Sequence, residues 1–284
     1  MVAFGLEFAG EIDAGAGVCY HQGINWNGTR GNKMKEIKAV IVDLDQTLLR
    51  TDKTISPYTL SMMQRCHERG LAVMAATARP ERSILTYHEQ VRFDAMTTMN
   101  GARIILPDQV LENAISHSSG RYILSKLISI PDVVISVETS DGSYSNVELP
   151  EWNSPRYDGF PDLPTQGALY KILASSESRA LYDQIGGALT DEVYHTVANG
   201  ELVQVMSKQA TKWNGIKAML GAFRIPQAGT VYFGDDYDDI GAIRMCGIGV
   251  AVSNAIEAVR NAADHITGSN DEDGVAEFIE RNIL

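Results

Sequence analysis

From Lys38 onward, hydrophobic and polar residues alternate in blocks that predict strands and helices in turn. The run "KAVIVD" is apolar and rich in valine and isoleucine, as expected of a strand covered on both faces. The segment "YTLSMMQRCHERG" has helical spacing, follows Ser56 and Pro57 as start signals, and ends at Gly70. A second strand, "LAVMAAT", and a second helix, "RPERSILTYHEQV", come next.

The same alternation continues through a third strand region and resumes near the end of the chain. The third region, "AMTTMNGARIIL", is interrupted by Asn100 and Gly101. Farther on, helices and strands alternate over "ATKWNGIKAMLGAF", "GTVYFGDD", "YDDIGAIRMC", "IGVAVS", "NAIEAVRNAA" and "DHITG". Strand–helix units with right-handed crossovers form a doubly wound, Rossmann-like parallel sheet. We therefore predict an α/β core, with ligands bound beyond the carboxyl ends of its strands.

The segment 113–203 differs from the rest and predicts a second domain inserted into the first. "DVVISVETSDGSYSNVEL" alternates like a half-exposed strand pair around an Asp-Gly turn. A loop, "WNSPRYDGFPDLPTQG", a strand, "ALYKILASS", a helix, "SESRALYDQIGGAL", and strands within "EVYHTVANGELVQVM" follow. We expect an αβ cap domain between core segments 34–112 and 204–284, with hinges near 107–113 and 200–206. The cap loop at 152–164 is a candidate for substrate selection.

The first 33 residues are rich in glycine and lack periodicity. They do not resemble a secretory signal, because acidic residues interrupt the apolar stretch and no basic segment precedes it. "KEIKAVIVD" follows directly after Met34. We therefore expect residues 1–33 to be a poorly ordered N-terminal extension.

Composition narrows the possible partners. The chain has 284 residues, 44% of them hydrophobic, and a formal net charge of −12. That charge disfavours nucleic acid and anionic membrane surfaces as partners, and no apolar run reaches the ~18–20 residues that span a bilayer. Cys19, Cys66 and Cys246 lack zinc-ligand spacing, which favours reduced thiols and a cytoplasmic location.

Two aspartates, Asp43 and Asp45, follow the first strand one residue apart. Their mutual repulsion is relieved if they hold a divalent cation, and Mg²⁺ prefers such oxygen ligands together with a substrate phosphate. Asp43 is then free to attack phosphorus and form an aspartyl phosphate, while Asp45 protonates the leaving oxygen and later activates water. On its own, an Asp-x-Asp pair also marks turns and helix caps.

Three further positions fit the same chemistry. Thr77 ends the second strand, where its hydroxyl can hold a phosphate oxygen, although threonines at strand ends are more often structural. Lys212 opens a helix, where an ammonium can balance phosphate and carboxylates, although such lysines are usually solvated. Asp235 and Asp239 follow another strand, where one of them can bind the metal, although acidic residues also favour helix starts.

The sequence resembles haloacid dehalogenase superfamily phosphatases of the Cof type over residues 36–284. "VDLDQTLL" resembles the family's DLDGTLL, and "ATARP" resembles its ATGRP. "MNGARI" resembles its strand-terminal NGA, and the region that begins "GDDYDDIGAI" resembles its GDGxND region and the tail after it. The predicted insert falls where this family carries a large αβ cap.

The resemblance implies a role for each matching residue. Asp43 is implied as the nucleophile, Asp45 as the acid/base and Lys212 as the site lysine, with Lys208 as a rival. The remaining implied ligands of phosphate or substrate are Thr77, Ala78, Arg79, Asn100 and Gly101. The implied Mg²⁺ ligands are Asp43, Asp235, Asp239 and Asp45, the last through its backbone carbonyl.

Four positions depart from the family pattern: Gln46, Ala78 and Asp236 stand where glycine is usual, and Asp238 replaces asparagine. Two of these changes add a carboxylate, which weakens phosphate binding unless it is compensated. The leading hypothesis is a Mg²⁺-dependent phosphatase acting on a small phosphorylated metabolite such as a sugar phosphate. A phospho-ligand-binding regulatory protein with weak turnover is the main alternative, and a phosphomutase is a third.

Overall fold

The structure is a computed structural model that describes residues 36–163, 165–198 and 201–284. The predicted N-terminal extension, 1–33, lies outside the described residues, and so do Cys19 and the predicted turn at 199–200.

The described strands and helices follow one another along the chain largely as the sequence pattern predicts. The strands are β1 Ala39–Val42, β2 Ala72–Ala76, β3 Ala95–Thr98, β4 Arg103–Ile105, β5 Val110–Glu112, β6 Val134–Thr139, β7 Gly142–Ser145, β8 Leu169–Ser175, β9 Val193–Ala198, β10 Leu202–Ser207, β11 Thr230–Gly234, β12 Ile248–Val252 and β13 His265–Thr267. The helices are α1 Pro57–Glu68, α2 Leu85–Val91, α3 His117–Leu127, α4 Ala180–Ala188, α5 Lys212–Phe223, α6 Ile240–Met245, α7 Glu257–Ala262 and α8 Gly274–Asn282.

The larger sheet has eight strands in the order β13-β12-β11-β1-β2-β3-β4-β5. Strands β13 to β3 run parallel, and β4 and β5 add an antiparallel edge. Strand β1 lies between β2 and β11, so the strand order reverses at β1. Crevices at such switch points are where doubly wound sheets bind ligands, which places the end of β1 at the expected ligand site.

Packing of this sheet explains why its strands are continuously apolar. All four residues of β1 have no exposed surface, because helices cover both faces of the sheet. Helices α1 and α5 begin at side-chain caps. Ser56 caps α1 by accepting from the Thr59 backbone N–H at 3.0 Å, and Thr211 caps α5 by accepting from the Asn214 N–H at 3.1 Å.

The second sheet has five antiparallel strands in the order β7-β6-β8-β10-β9. One of its faces packs under α3 and α4 in a separate apolar cluster that includes Ile123, Leu127, Ile172 and Leu181. The fold-class prediction, a Rossmann-like parallel core with an inserted αβ cap, is confirmed.

Several element bounds differ from the sequence predictions. Strand β10 belongs to the five-stranded sheet as far as Ser207, so the predicted boundary at 203 falls within a strand and the predicted hinge at 200–206 overlaps that strand from Leu202 on. The division into core and cap segments stays a prediction. Helix α2 begins later than predicted, because a single turn, Glu81–Ser83, follows Pro80. The sequence pattern did not predict helices α3 and α8.

The two sheets contact each other through polar pairs and a small apolar cluster. Tyr170 of β8 accepts from the Arg103 guanidinium of β4 at 2.8 Å, and its hydroxyl donates to Glu112 of β5. Arg82 donates to both oxygens of Glu138 in β6 at 2.7 Å each. These contacts tie the five-stranded sheet to the core on the side of the sheet opposite α3 and α4.

Within the described residues, no helix combines the length and apolar character needed to cross a membrane. Cys66 and Cys246 are buried free thiols, in agreement with the expectation of reduced cysteines.

Gly101 generates a prediction about the loop beside α5. Its φ is +95°, and a Cβ there would lie 2.1 Å from the Thr211 carbonyl oxygen. Gly70 also has a positive φ, +73°, but no atom lies within 4 Å of its Cβ position. We expect Gly70→Ala to cost roughly 1 kcal/mol for the left-handed backbone alone. Gly101→Ala adds an overpacking cost of ~1–3 kcal/mol. Urea unfolding of both variants measures the difference, and equal losses would contradict the close approach to Thr211.

Candidate active site

Asp43 lies where β1 ends, at the switch point of the larger sheet. Its backbone N–H donates to the Phe233 carbonyl at 3.0 Å, which extends the pairing of β1 with β11 by one residue. Asp43 therefore lies at the carboxyl edge of the sheet, and its side chain is almost wholly buried. The Lys212 ammonium donates to Asp43 Oδ1 at 2.9 Å.

Lys212 is a buried cation that contacts three carboxylates. It is the first residue of α5, held there by the Thr211 cap, and its Nζ lies 2.9 Å from Asp43, 3.0 Å from Asp238 and 2.6 Å from Asp239. Lys208, the rival for this role, is exposed after β10. The structure therefore brings the preferred lysine into the site and leaves the rival outside it.

Asp239 is fully buried, and its two oxygens accept from four donors. Oδ1 accepts from Lys212 at 2.6 Å and from the Tyr232 hydroxyl, and Oδ2 accepts from the backbone N–H groups of Asp235 at 2.9 Å and Asp236 at 3.0 Å. Gly234 permits this packing, because a Cβ there would lie 2.6 Å from the Asp239 Cβ. Asp239 therefore fixes the loop that carries Asp235.

Asp235 completes a cluster of carboxylates. Its Oδ1 accepts from the Thr47 hydroxyl at 2.7 Å. One oxygen from each of Asp43, Asp235 and Asp239 lies within 4.8 Å of the others. Thr47 contacts one oxygen of Asp235, and Lys212 contacts one oxygen of Asp43. The second oxygens of these two carboxylates, both hard donors, suit a divalent cation such as Mg²⁺.

The cluster carries more negative charge than Lys212 balances. Burial and this excess charge together raise the pKa values of Asp43 and Asp235. Burial raises the pKa of Asp43 well above its usual range, and the nearby charges of Asp239, Asp238 and Asp235 raise it further, against the lowering effect of Lys212. Burial and the charge of Asp239 raise the pKa of Asp235 to about 7. A bound cation would oppose both shifts, because it favours the ionised carboxylates.

Asp45 lies apart from this cluster. The Arg79 guanidinium donates to both of its oxygens, at 2.6 Å and 2.7 Å, and the Lys53 ammonium donates at 2.7 Å. Burial alone would raise the pKa of Asp45, but the hydrogen bonds from Arg79 and Lys53 outweigh burial and lower it to about 2. The side chain is therefore ionised and bound to cations in this structure, and it is not among the three clustered carboxylates.

The turn after Asp43 contains one departure from the family pattern. Gln46 has a φ of 57°, in the left-handed region that glycine adopts without steric cost. Its backbone carbonyl accepts from the Asn254 side-chain amide at 2.8 Å. The chain thus adopts a glycine-type turn with glutamine in that place, at a cost of roughly 1–2 kcal/mol. Asp238, another departure, contacts the Lys212 ammonium at 3.0 Å and shares it with Asp43 and Asp239.

The predicted phosphate-binding residues lie at the ends of β2 and β3. Thr77 is buried, its hydroxyl accepts from the Arg79 backbone N–H at 3.1 Å, and its carbonyl accepts from the Asn100 N–H at 3.0 Å. Asn100 Oδ1 is buried without a hydrogen-bond partner, and unpaired buried polar atoms often mark a missing ligand or water. Gly101 follows in the same turn, and Ala78 is exposed.

The carboxyl ends of the strands indicated Asp43, Thr77 and Asp235, but several residues that contact the cluster had no such signal. The strand ends did not indicate Thr47, Lys53 or Tyr232, which orient Asp235, Asp45 and Asp239 respectively. Tyr232 lies within an apolar strand, and its sequence neighbours give no signal of its role. The positions of Thr47 and Lys53 shortly after the Asp-x-Asp pair are the one available signal for those two residues.

A family model for haloacid dehalogenase-like hydrolases matches residues 40–279. The chain belongs to the haloacid dehalogenase-like hydrolase family.

Similar proteins with assigned activities include two bacterial phosphatases. The chain is 26% identical to 5-amino-6-(5-phospho-D-ribitylamino)uracil phosphatase YitU of Bacillus subtilis, over 85% of this chain and 96% of that protein. It is 24% identical to the phosphatase of the same activity name, YbjI, of Escherichia coli, over 86% of this chain and 96% of that protein. The predicted family and the prediction of a phosphatase-type hydrolase are thereby confirmed.

Solved structures support the same fold. A phosphatase of the haloalkanoate (HAD) superfamily from Bacteroides thetaiotaomicron matches with a TM-score of 0.79 at 21% identity, over 91% of this chain and 100% of that one. A sugar phosphatase of HAD subclass IIB matches with a TM-score of 0.74 at 21% identity, over 87% of this chain and 100% of that one.

The three contacts of Lys212 generate a test against its rival. Lys212→Met leaves buried carboxylates without their cation, and we expect a loss of roughly 3–5 kcal/mol in the free energy of unfolding. Lys208→Met makes the same chemical change at an exposed position and should leave stability within ~0.5 kcal/mol. Chemical denaturation without divalent metal measures both values. A larger loss for Lys208→Met would contradict the assignment of Lys212.

Proposed function

We propose that this protein is a Mg²⁺-dependent phosphatase that hydrolyses a small phosphorylated metabolite through a phosphorylated Asp43. The observation that carries the proposal is the buried cluster at the end of β1, in which one ammonium faces an excess of carboxylates. A divalent cation would offset this excess of negative charge, and the cluster could then lie beside a phosphoryl group.

Asp43 and Asp235 are the side chains that would hold Mg²⁺, together with the backbone carbonyl of Asp45. When bound, the ion supplies positive charge that offsets these carboxylates and polarises the phosphoryl oxygens. The sequence also predicts Asp239 as a ligand. Because its oxygens already accept from four donors, we propose that Asp239 instead positions the loop that carries Asp235.

In the first half of the reaction, a carboxylate oxygen of Asp43 attacks phosphorus and the bond from phosphorus to the leaving oxygen breaks. Asp45 gives its proton to that oxygen. Lys212 holds Asp43 in place and adds positive charge near the phosphoryl group, while Thr77 and Asn100 bind its oxygens. Burial of Asp43 limits the access of water during this transfer.

In the second half, Asp45 takes a proton from a water molecule, and the water oxygen attacks the phosphorus of the aspartyl phosphate. The bond between phosphorus and Asp43 breaks, inorganic phosphate leaves, and the Asp43 carboxylate is restored. Each half uses one proton transfer at Asp45, so this residue returns to its starting state after one turnover.

The pairing of Asp45 with Arg79 sets a requirement for this cycle. With a pKa of about 2, Asp45 carries no proton to give in the observed arrangement. Substrate binding must therefore draw Arg79 and Lys53 away from Asp45, since a phosphate ester is an anion that both cations bind. The released carboxylate then takes up one proton from water before it acts as the acid. The same pairing favours the second candidate, a phospho-ligand-binding protein with weak turnover, if the pair persists with ligand bound.

The proposed substrate class is supported by relatives named as phosphatases of a phosphoribitylamino-uracil and by a fold neighbour named as a sugar phosphatase. We propose a phosphorylated sugar, sugar alcohol or similar small metabolite as substrate, with no nucleic acid or membrane partner. A cytoplasmic location remains part of the proposal.

A panel of phosphorylated metabolites, assayed for released phosphate, tests the function. We expect turnover with Mg²⁺, no turnover in excess chelator, and no rescue by Ca²⁺, because calcium takes more ligands at longer distances. Asp43→Asn is the control that removes the nucleophile. Full activity in chelator would contradict the metal requirement. Tight binding of a phosphate ester without hydrolysis would favour the regulatory alternative.

A further inference from the structure

The five-stranded sheet has two chemically different faces. One face carries the apolar residues that pack under α3 and α4. The opposite face carries Glu138, Lys171 and Met206, since Lys171 is directly opposite Glu138 on β6 and opposite Met206 on β10. Gln204 shares this face, because it lies two residues before Met206 on the same strand. The contact of Glu138 with Arg82 shows that this face looks toward the core.

Lys171 is an unusual residue at the centre of that face. It is only 5% exposed, and its ammonium donates to Gln204 Oε1 at 3.0 Å. An ammonium has three N–H donors, so this hydrogen bond leaves Lys171 with donors to offer. A lysine buried to this degree without a carboxylate contact costs free energy unless a further partner arrives.

The charges around Lys171 connect it to the catalytic cluster. Burial lowers the pKa of Lys171 to about 8, while the charges of Asp238 and Glu138 act against this shift and that of Lys212 adds to it. Met206, opposite Lys171 on β10, packs in one apolar cluster with Met99 and Ala102, which flank the Asn100–Gly101 turn. Lys171 therefore lies on the part of the sheet that faces the core site. A group bound between Asp43 and β8 would therefore face the free donors of Lys171.

The neighbouring carboxylates already have cationic partners. Both oxygens of Glu138 accept from Arg82, and Asp238 contacts Lys212. The Gln204 amide adds neutral donors, since its oxygen is used by Lys171. The surface thus presents N–H donors beside carboxylates whose negative charge Lys212 does not fully balance. Such a surface suits neutral oxygen acceptors better than a second anionic group, which Glu138 and Asp238 would repel.

We propose that Lys171, with Gln204, binds the hydroxyl or carbonyl oxygens of an uncharged, oxygen-rich leaving group and so selects sugar or sugar-alcohol phosphates. This inference rests on the proposed phosphatase function and names the residues that select its substrate. It differs from the sequence expectation for the loop at 152–164. Within that loop, Tyr157 packs against Phe160 and against Tyr144 of the edge strand β7, whereas Lys171 lies on β8, the central strand of the sheet.

Lys171→Met tests the inference, because it keeps the length of the side chain and removes its donors. The readout is the ratio of kcat/KM for ribitol 5-phosphate and glucose 6-phosphate to kcat/KM for phenyl phosphate, which lacks hydroxyl groups. We expect this ratio to fall about 10- to 100-fold, because the lost hydrogen bonds act only on hydroxylated leaving groups. Lys126→Met is the matched control, since Lys126 is exposed on α3 behind the sheet, and it should leave the ratio unchanged.

The outcomes separate this inference from the function on which it rests. If the unmodified protein hydrolyses none of these esters, phenyl phosphate included, the proposed function fails. If it hydrolyses them and Lys171→Met leaves the ratio unchanged, the inference is overturned. A loss confined to esters with a second anionic group, such as 6-phosphogluconate, also overturns it. Should Lys171→Met fail to fold, Gln204→Leu replaces it, and an unchanged ratio in that variant overturns the inference.

Discussion

The contact of one buried ammonium with three carboxylates is the interaction on which the rest of this site depends. Lys212 lies within 3.0 Å of Asp43, Asp238 and Asp239. Without it, the end of β1 would hold buried carboxylates with no positive charge among them, a state that folding cannot easily sustain. With it, the cluster remains anionic enough to attract a divalent cation. The lysine thus contributes stability, and the negative charge that it leaves unbalanced is the basis of the metal site that we propose.

Close approaches between backbone segments make that contact possible. Gly101 lets the turn after β3 lie against Thr211, which caps the helix that Lys212 begins. Gly234 lets Asp239 lie against the end of β11, where it fixes the backbone of Asp235 and Asp236. The site is therefore built from strand ends held together by glycine contacts and by a helix cap.

Much of this arrangement could be predicted from the sequence, because the carboxyl ends of parallel strands meet at one edge of a sheet. That rule places Asp43, Thr77 and Asp235 at one edge of the sheet, whereas Lys212 begins a helix and is indicated by the family resemblance. The rule gives no side-chain directions, so it did not predict that Asp45 turns to Arg79 and Lys53. The rule also gives no information about the face of the five-stranded sheet that looks toward the core, because Lys171 lies within an ordinary apolar strand pattern. Its burial near Asp238 arises only when the two sheets pack together.

The central claim is that Asp43 carries the phosphoryl group and Asp45 moves protons. The most direct measurement is the intact mass of the protein after rapid acid quench, with an activated aryl phosphate as substrate. The account predicts one added phosphoryl group on Asp45→Asn, because an activated leaving group needs little protonation and the slow water step lets the adduct accumulate. It predicts no adduct on Asp43→Asn with any substrate. An adduct on Asp43→Asn, or equal behaviour of the two variants with good and poor leaving groups, would contradict the assignment.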